Sequence, residues 1–429
     1  MTASYRSYWK GTALAFVLFV VCTFGVAALS FLLHATALAV AAASGMTLAA
    51  SAALGLAAAG LVVIRRERRF LRGRPDLFLE LNDARSERAL SVRHPVLASP
   101  LRRALSKALL GHELLVGDVV QVRSLREIRA SLDASNSLDG LPFMEEMVRF
   151  CGQRAVVFRC IEKIYDYGRS KRMRRIDDCV LLLGLRCDGA DHGGCQAACY
   201  LIWKTAWLQR IAEPRLQGVA AATTPQSAAT MLESAVEPSG PTVAQADANT
   251  SYRCQFTTLT EASTPLRWWD LGRDLRPLFC GNVTWHAFAV ALATRWFNFA
   301  QRLYGGATFP SMPPVAPEGS APAALWGGER VRVRSGAEIA ASLNRQNKHR
   351  GLWFDRDMLK HCQQHYQVLG RVERIIDIGS SKIVSMKTPC IVLDGVHYSG
   401  EFQGFGAQHD YLYWREAWLE RVEACVSTR

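Results

Sequence analysis

The sequence predicts a mainly β protein with minor α: two tandem small SH3-like β-barrel-type domains behind an N-terminal transmembrane helical hairpin. Three observations carry this expectation. Residues 1–64 hold two long uncharged apolar runs. Short alternating strands punctuated by glycine come later in the chain. One stretch of those strands occurs twice, at a fixed offset of 211 residues.

Residues 11–33 read GTALAFVLFVVCTFGVAALSFLL, without a charge, and roughly 20 such residues cross a bilayer core. A second uncharged run, 35–64, is rich in Ala and Gly, which suits close helix–helix contact in lipid. Together 1–64 read as a hairpin of two spans, with a single span or a cleaved signal peptide as rival readings. Arg6 and Lys10 precede the first run, and Arg65, Arg66, Arg68, Arg69, Arg72 and Arg74 follow the second. The positive-inside rule then puts both ends in the cytoplasm, with the protein at the inner (cytoplasmic) membrane.

The formal charge is +13, from 51 Lys+Arg against 38 Asp+Glu. About nine of those thirteen net charges lie before Gly111. Residues 65–116 therefore read as a basic juxtamembrane segment that meets anionic headgroups of the lipid bilayer. A nucleic-acid binder would hold its basic footprint on a folded module, so no nucleic-acid partner is expected.

Residues 117–211 align with 328–422 without a gap, and roughly 36 of the 95 positions are identical. Val120, Val122, Arg123 and Ser124 recur as Val331, Val333, Arg334 and Ser335. Glu162 and Asp166 recur as Glu373 and Asp377, and Trp203 and Trp207 as Trp414 and Trp418. The chain contains a tandem duplication of a β-rich unit. Most shared positions are apolar, Gly or aromatic and read first as core and turn. The Trp pairs, Glu162 and Glu373 are the candidates for a shared binding face.

Residues 212–327 join the two copies. Their first part, 212–250, is rich in Ala, Pro, Ser and Thr and reads as linker. A helical insert over 252–306 contains the amphipathic WHAFAVALATRWFNFAQRLYGG, expected to lie on a membrane surface or pack on a neighbouring domain.

Copy one carries RCDGADHGGCQAAC, placing Cys187, His192, Cys195 and Cys199 in one glycine-rich loop. Such N and S donors are a ligand set for a structural zinc ion, with Cys254 as a further candidate and iron–sulfur ligation as a lesser one. The duplication is an internal control, because these positions become Tyr398, Gln403, Gly406 and Asp410 in copy two. Loss of a metal site explains why all four change together while the scaffold stays. Twelve cysteines in 429 residues are too few for a secreted disulfide framework. There is no Walker loop, no dinucleotide fingerprint and no HExxH.

The RCDGADHGGCQAAC stretch, with WKTAWL after it and YWREAWLERV in copy two, resembles uncharacterised bacterial proteins sharing R-C-D-G-x-x-H-G-G-C-Q-x-x-C. The resemblance spans roughly residues 111–422 and implies no activity. Taken together, the expectation is a membrane-anchored cytosolic binding or scaffold protein. Its partners would be the bilayer and a cytosolic protein, and one domain would hold a structural zinc. The alternative is a metal-dependent enzyme that uses the Cys187–Cys199 loop.

Overall fold

Alternating valines make the first strand of each copy, and a serine ends it. The computed structural model describes residues 54–66, 104, 106–107, 114–211, 250–267, 275–310, 324–401, 406 and 408–422. The described chain begins with helix α1 (54–66). In copy one, β1 (Val119–Val122) runs into Ser124, whose hydroxyl caps α2 (Leu125–Ser131) while Glu127 reaches back to the Ser124 N–H. This capping box satisfies two donors that a helix start otherwise leaves bare. β2 (Arg154–Tyr165) and β3 (Met173–Arg186) form a long antiparallel hairpin. Asp166 fixes its turn by accepting from the N–H groups of Gly168, Arg169 and Ser170. β4 (Tyr200–Lys204) leads through a 3₁₀ turn, Thr205–Trp207, into β5 (Leu208–Arg210). The sheet order is β4-β3-β2-β1-β5, with a two-residue strand, Thr264–Pro265, added beside β3.

The insert contributes the helix α3 (Trp285–Leu303), capped by Thr284. Copy two then repeats the pattern with β6 (Arg330–Val333), α4 (Gly336–Ser342), β7 (His365–Asp377), β8 (Lys382–His397), β9 (Tyr411–Trp414) and β10 (Leu419–Arg421). Its order, β9-β8-β7-β6-β10, matches copy one strand for strand. Even the caps agree: Ser124 and Ser335 share φ −62 and ψ 151. The cores match too. Val120, Ile128, Met147, Trp203 and Trp207 in one are Val331, Ile339, Met358, Trp414 and Trp418 in the other.

Two expectations are corrected here. Neither sheet closes into an SH3-like barrel. β4 and β5 lie at opposite edges of one sheet, β9 and β10 at opposite edges of the other, and neither pair is hydrogen-bonded together. The 3₁₀ turn carries the chain from one edge to the other without zipping them, so the fold is mixed α and β with open sheets.

The second correction concerns the membrane. Among the described residues no helix is long and apolar enough to cross one. Of the expected hairpin, 1–53 lie outside the described residues, and what is described, α1, packs on protein. Ala59, Val63 and Ile64 are buried against Phe297 and Phe309. Arg66, expected to face headgroups, is itself buried and pairs with Glu401 at 2.6 Å while donating to Thr294 Oγ1. Side chains committed to protein in this way do not face lipid. The membrane-anchored scaffold, the bilayer with its anionic headgroups as partner, and the inner-membrane location are set aside with the hairpin. Most of the basic segment 65–116 lies outside the described residues.

The copies are joined by a reciprocal exchange. Gln196, in the Cys-rich loop of copy one, accepts from the N–H groups of Glu373 and Arg374 through its side-chain oxygen, at 2.7 and 3.0 Å. Its own N–H donates to the Arg374 carbonyl. Gln408, in the matching loop of copy two, accepts from Tyr165 N–H and donates to Tyr165 O, both at 2.9 Å. Each amide thus continues the other copy's hairpin strand. Between them the Arg186 guanidinium lies 3.9 Å from the Tyr200 ring centre and 4.5 Å from that of Tyr411, its equivalent. Stacking on two rings and donating to the carbonyls of Ala198 and His409 makes Arg186 a rivet between the copies.

Candidate metal centre

The Cys-rich loop leaves β3 at Arg186 and returns at Tyr200, closed at its base by a hydrogen bond from Cys187 N–H to the Cys199 carbonyl. Its tip is a 3₁₀ turn, Ala190–His192, flanked by left-handed Gly189 and Gly193. Only glycine fits at 189. A Cβ there would stand 1.9 Å from the Cys195 carbonyl oxygen, and φ is +73°. This tight fold turns His192 inward, where it is 3% exposed.

His192 meets a partner that comes from far back in the chain. Glu146 sits on the 3₁₀ turn Glu145–Phe150 and is 6% exposed. His192 Nδ1 is 3.6 Å from Cys187 Sγ and 3.7 Å from Glu146 Oε1. The ligand atoms of all three residues lie within 4.8 Å of one another. Bonds of about 2.0–2.3 Å at tetrahedral angles set neighbouring donor atoms roughly 3.3–3.8 Å apart, and both measured separations fall there. The cluster can hold a metal ion.

The state of Glu146 is the strongest local argument. Neither of its buried carboxylate oxygens takes part in a hydrogen bond among the described residues. A buried polar group without a partner costs roughly 1–3 kcal/mol, more when charged. Copy two shows what the same position does without a ligand set. Its equivalent, Asp357, accepts from the Ser399 N–H at 2.7 Å and from the Ser399 hydroxyl at 2.8 Å. Where copy two answers its carboxylate with a serine, copy one faces it with a thiol and an imidazole.

Cys195, Cys199 and Cys254 stand outside this three-ligand group and line the same cavity. Cys195 Sγ accepts from Ile376 N–H of copy two at 3.4 Å. Burial pushes the Cys187, Cys195 and Cys199 thiols upward, with the Glu146 carboxylate adding at Cys187 and Asp410 at Cys199. Asp188 is held by the Arg149 guanidinium and Asp191 is exposed, so neither belongs to the cluster.

The cavity, of about 390 Å³, lies between equivalent surfaces of the copies. Cys187 and Tyr398, Cys199 and Asp410, Leu201 and Leu412 all line it, each pair related by the same offset. Tyr398 and Asp410 are bridged by a backbone hydrogen bond matching that between Cys187 and Cys199. Burial pushes the Asp410 carboxyl up to about 6, against the opposing charge of Arg186.

The other candidates are placed elsewhere. Trp203, Trp207, Trp414 and Trp418 are fully buried, packing edge-on against Phe143 in copy one and Phe354 in copy two. They form core, and present no binding face. Glu162 is buried 3.7 Å from Arg276, whereas Glu373 is 60% exposed, so the shared carboxylate has no shared environment.

No family model, curated protein or solved structure matches the chain. The geometry of the centre therefore carries the functional reading alone. Sequence reasoning missed Glu146. The available signal was the carboxylate kept at this position in both copies, as Glu146 and Asp357.

Proposed function

We propose that the protein is a metal-dependent enzyme whose Glu146, Cys187 and His192 hold a zinc ion at the wall of the cavity. One observation carries this reading: the three donors, including a buried carboxylate with no hydrogen bond, line a cavity large enough for a small molecule. Three protein ligands and a free fourth position are the pattern of catalytic zinc, where structural zinc is closed by four. One carboxylate, one thiolate and one imidazole suit zinc better than magnesium or calcium, which favour all-oxygen sets. An ion so held supplies Lewis acidity to a substrate group that reaches it. The chain's own part is to balance the ion's charge with Glu146 and Cys187, to exclude bulk water with apolar walls, and to set Tyr398 and Asp410 on the copy-two wall of the cavity.

The test uses the full-length protein. Elemental analysis is expected to find about one zinc per chain, removable by a chelator. After cobalt substitution, imidazole, a neutral ligand, is expected to shift the visible absorption bands by entering the open position. Absence of metal, or a cobalt spectrum that imidazole leaves unchanged, overturns the proposal; the latter result would mark a closed structural ion.

A further inference from the structure

We infer that the cavity beside this cluster seats a small, neutral, mainly apolar molecule, which ligates the ion through one polar end and lies between walls supplied by both copies. The inference rests on the metal reading above and adds the class of ligand.

Shape and lining come first. At about 390 Å³ the cavity falls within the range of small-molecule sites, roughly 300–1,000 Å³. Leu201 comes from copy one, Phe256 from the insert, and Ile375, Ile376 and Leu412 from copy two, so its walls are apolar from three directions. Water alone is a poor occupant of such a space, because each buried water needs about three polar partners.

Charge decides between neutral and anionic ligands. The Glu146 carboxylate and a Cys187 thiolate together balance a divalent ion, leaving no net positive charge to draw in an anion. Arg186, stacked on the cavity-lining rings of Tyr200 and Tyr411, has its guanidinium turned to the carbonyls of Ala198 and His409. Asp410, on the copy-two wall, would repel a carboxylate or phosphate. An anionic group in the cavity would therefore be desolvated without compensation.

A second observation points to a ligand independently of the cluster. Tyr398 lines the cavity at 6% exposure, and its hydroxyl has no hydrogen-bond partner among the described residues. It occupies in copy two the position that Cys187 holds in copy one. Duplication followed by divergence has thus left one wall that binds metal and a second wall with one hydroxyl free to hydrogen-bond an occupant.

The experiment compares two imidazoles of one frame on the zinc-loaded full chain by calorimetry: 1-benzylimidazole, and 4-(imidazol-1-ylmethyl)benzoate, which adds only a carboxylate. Both can ligate zinc through the neutral ring nitrogen without losing a proton. Benzylimidazole is expected to bind at least about tenfold more tightly, a difference of about 1.4 kcal/mol. Ala197→Phe, which places a ring in the cavity, is expected to abolish benzylimidazole binding while zinc content stays unchanged. If zinc is bound but the benzoate binds equally or better, or if Ala197→Phe binds benzylimidazole as wild type does, the ligand class is overturned and the metal reading stands. A chain without zinc removes both.

Discussion

Replacing Glu146 with Gln should change sign in its effect on stability, depending on whether the ion is present. The carboxylate is 6% exposed and neither oxygen is hydrogen-bonded. In chelator-treated protein, Gln removes a buried charge whose oxygens have no hydrogen bond, and the variant should be more stable by about 1–3 kcal/mol. In metal-loaded protein the order reverses. At free ion 1,000 times Kd the wild type gains about 4.1 kcal/mol, and a variant lacking one of three ligands forfeits most of that gain, which outweighs its advantage without metal. Thermal melts with and without chelator read the effect, at roughly 1 °C per kcal/mol for a chain of 429 residues. The reasoning is refuted if Glu146→Gln is destabilising by the same amount in both conditions. That outcome would make Glu146 an ordinary packing residue whose desolvation is met in some other way.

Further outcomes follow from the same geometry. Asp357→Ala, at the equivalent position in copy two, removes the charged acceptor of the Ser399 N–H and hydroxyl. It should cost about 1.5–3 kcal/mol in melts with or without metal. Gly189→Ala drives a Cβ to 1.9 Å from the Cys195 carbonyl; it should lose zinc by elemental analysis while circular dichroism shows the sheets intact. Burial pushes the Glu162 carboxyl from 4.5 up to about 7, opposed by Arg276. The folded state therefore holds a proton that the unfolded state releases, so stability should fall as pH rises from about 4.5 to about 7, by up to roughly 3 kcal/mol. Urea titrations of wild type and Glu162→Gln across that range should diverge accordingly. Trp203→Ala, emptying a fully buried site, should cost about 3–5 kcal/mol in the same assay and leave zinc affinity of the folded fraction unchanged.

The duplication was legible because the same residues recur in one register, the paired tryptophans among them. What the recurring serines and acids build was not: the Ser124–Glu127 and Ser335–Glu338 capping boxes and the Asp166 and Asp377 turns emerge only in the structure. Sheet closure was not legible. Alternation says which face of β4 or β5 is buried, but not whether the two edges meet. The membrane expectation failed for a related reason. An Ala-rich segment suits a protein groove as well as lipid, and α1 fills one lined by Phe297 and Phe309. Cys187 and His192 were visible through their spacing. Glu146 was not, because the fold alone brings a 3₁₀ turn some forty residues earlier against the loop, and nothing in the intervening sequence marks the contact. The cavity also escaped sequence reasoning, since it exists only where Gln196 and Gln408 dock each copy on the other's strand.

The central claim is the identity of the donors, and X-ray absorption of the zinc-loaded chain tests it most directly. Glu146, Cys187 and His192 predict one sulfur at about 2.3 Å with nitrogen and oxygen at about 2.0–2.2 Å completing the shell. Three or four sulfur neighbours would contradict the account, placing the ion instead among Cys187, Cys195, Cys199 and Cys254.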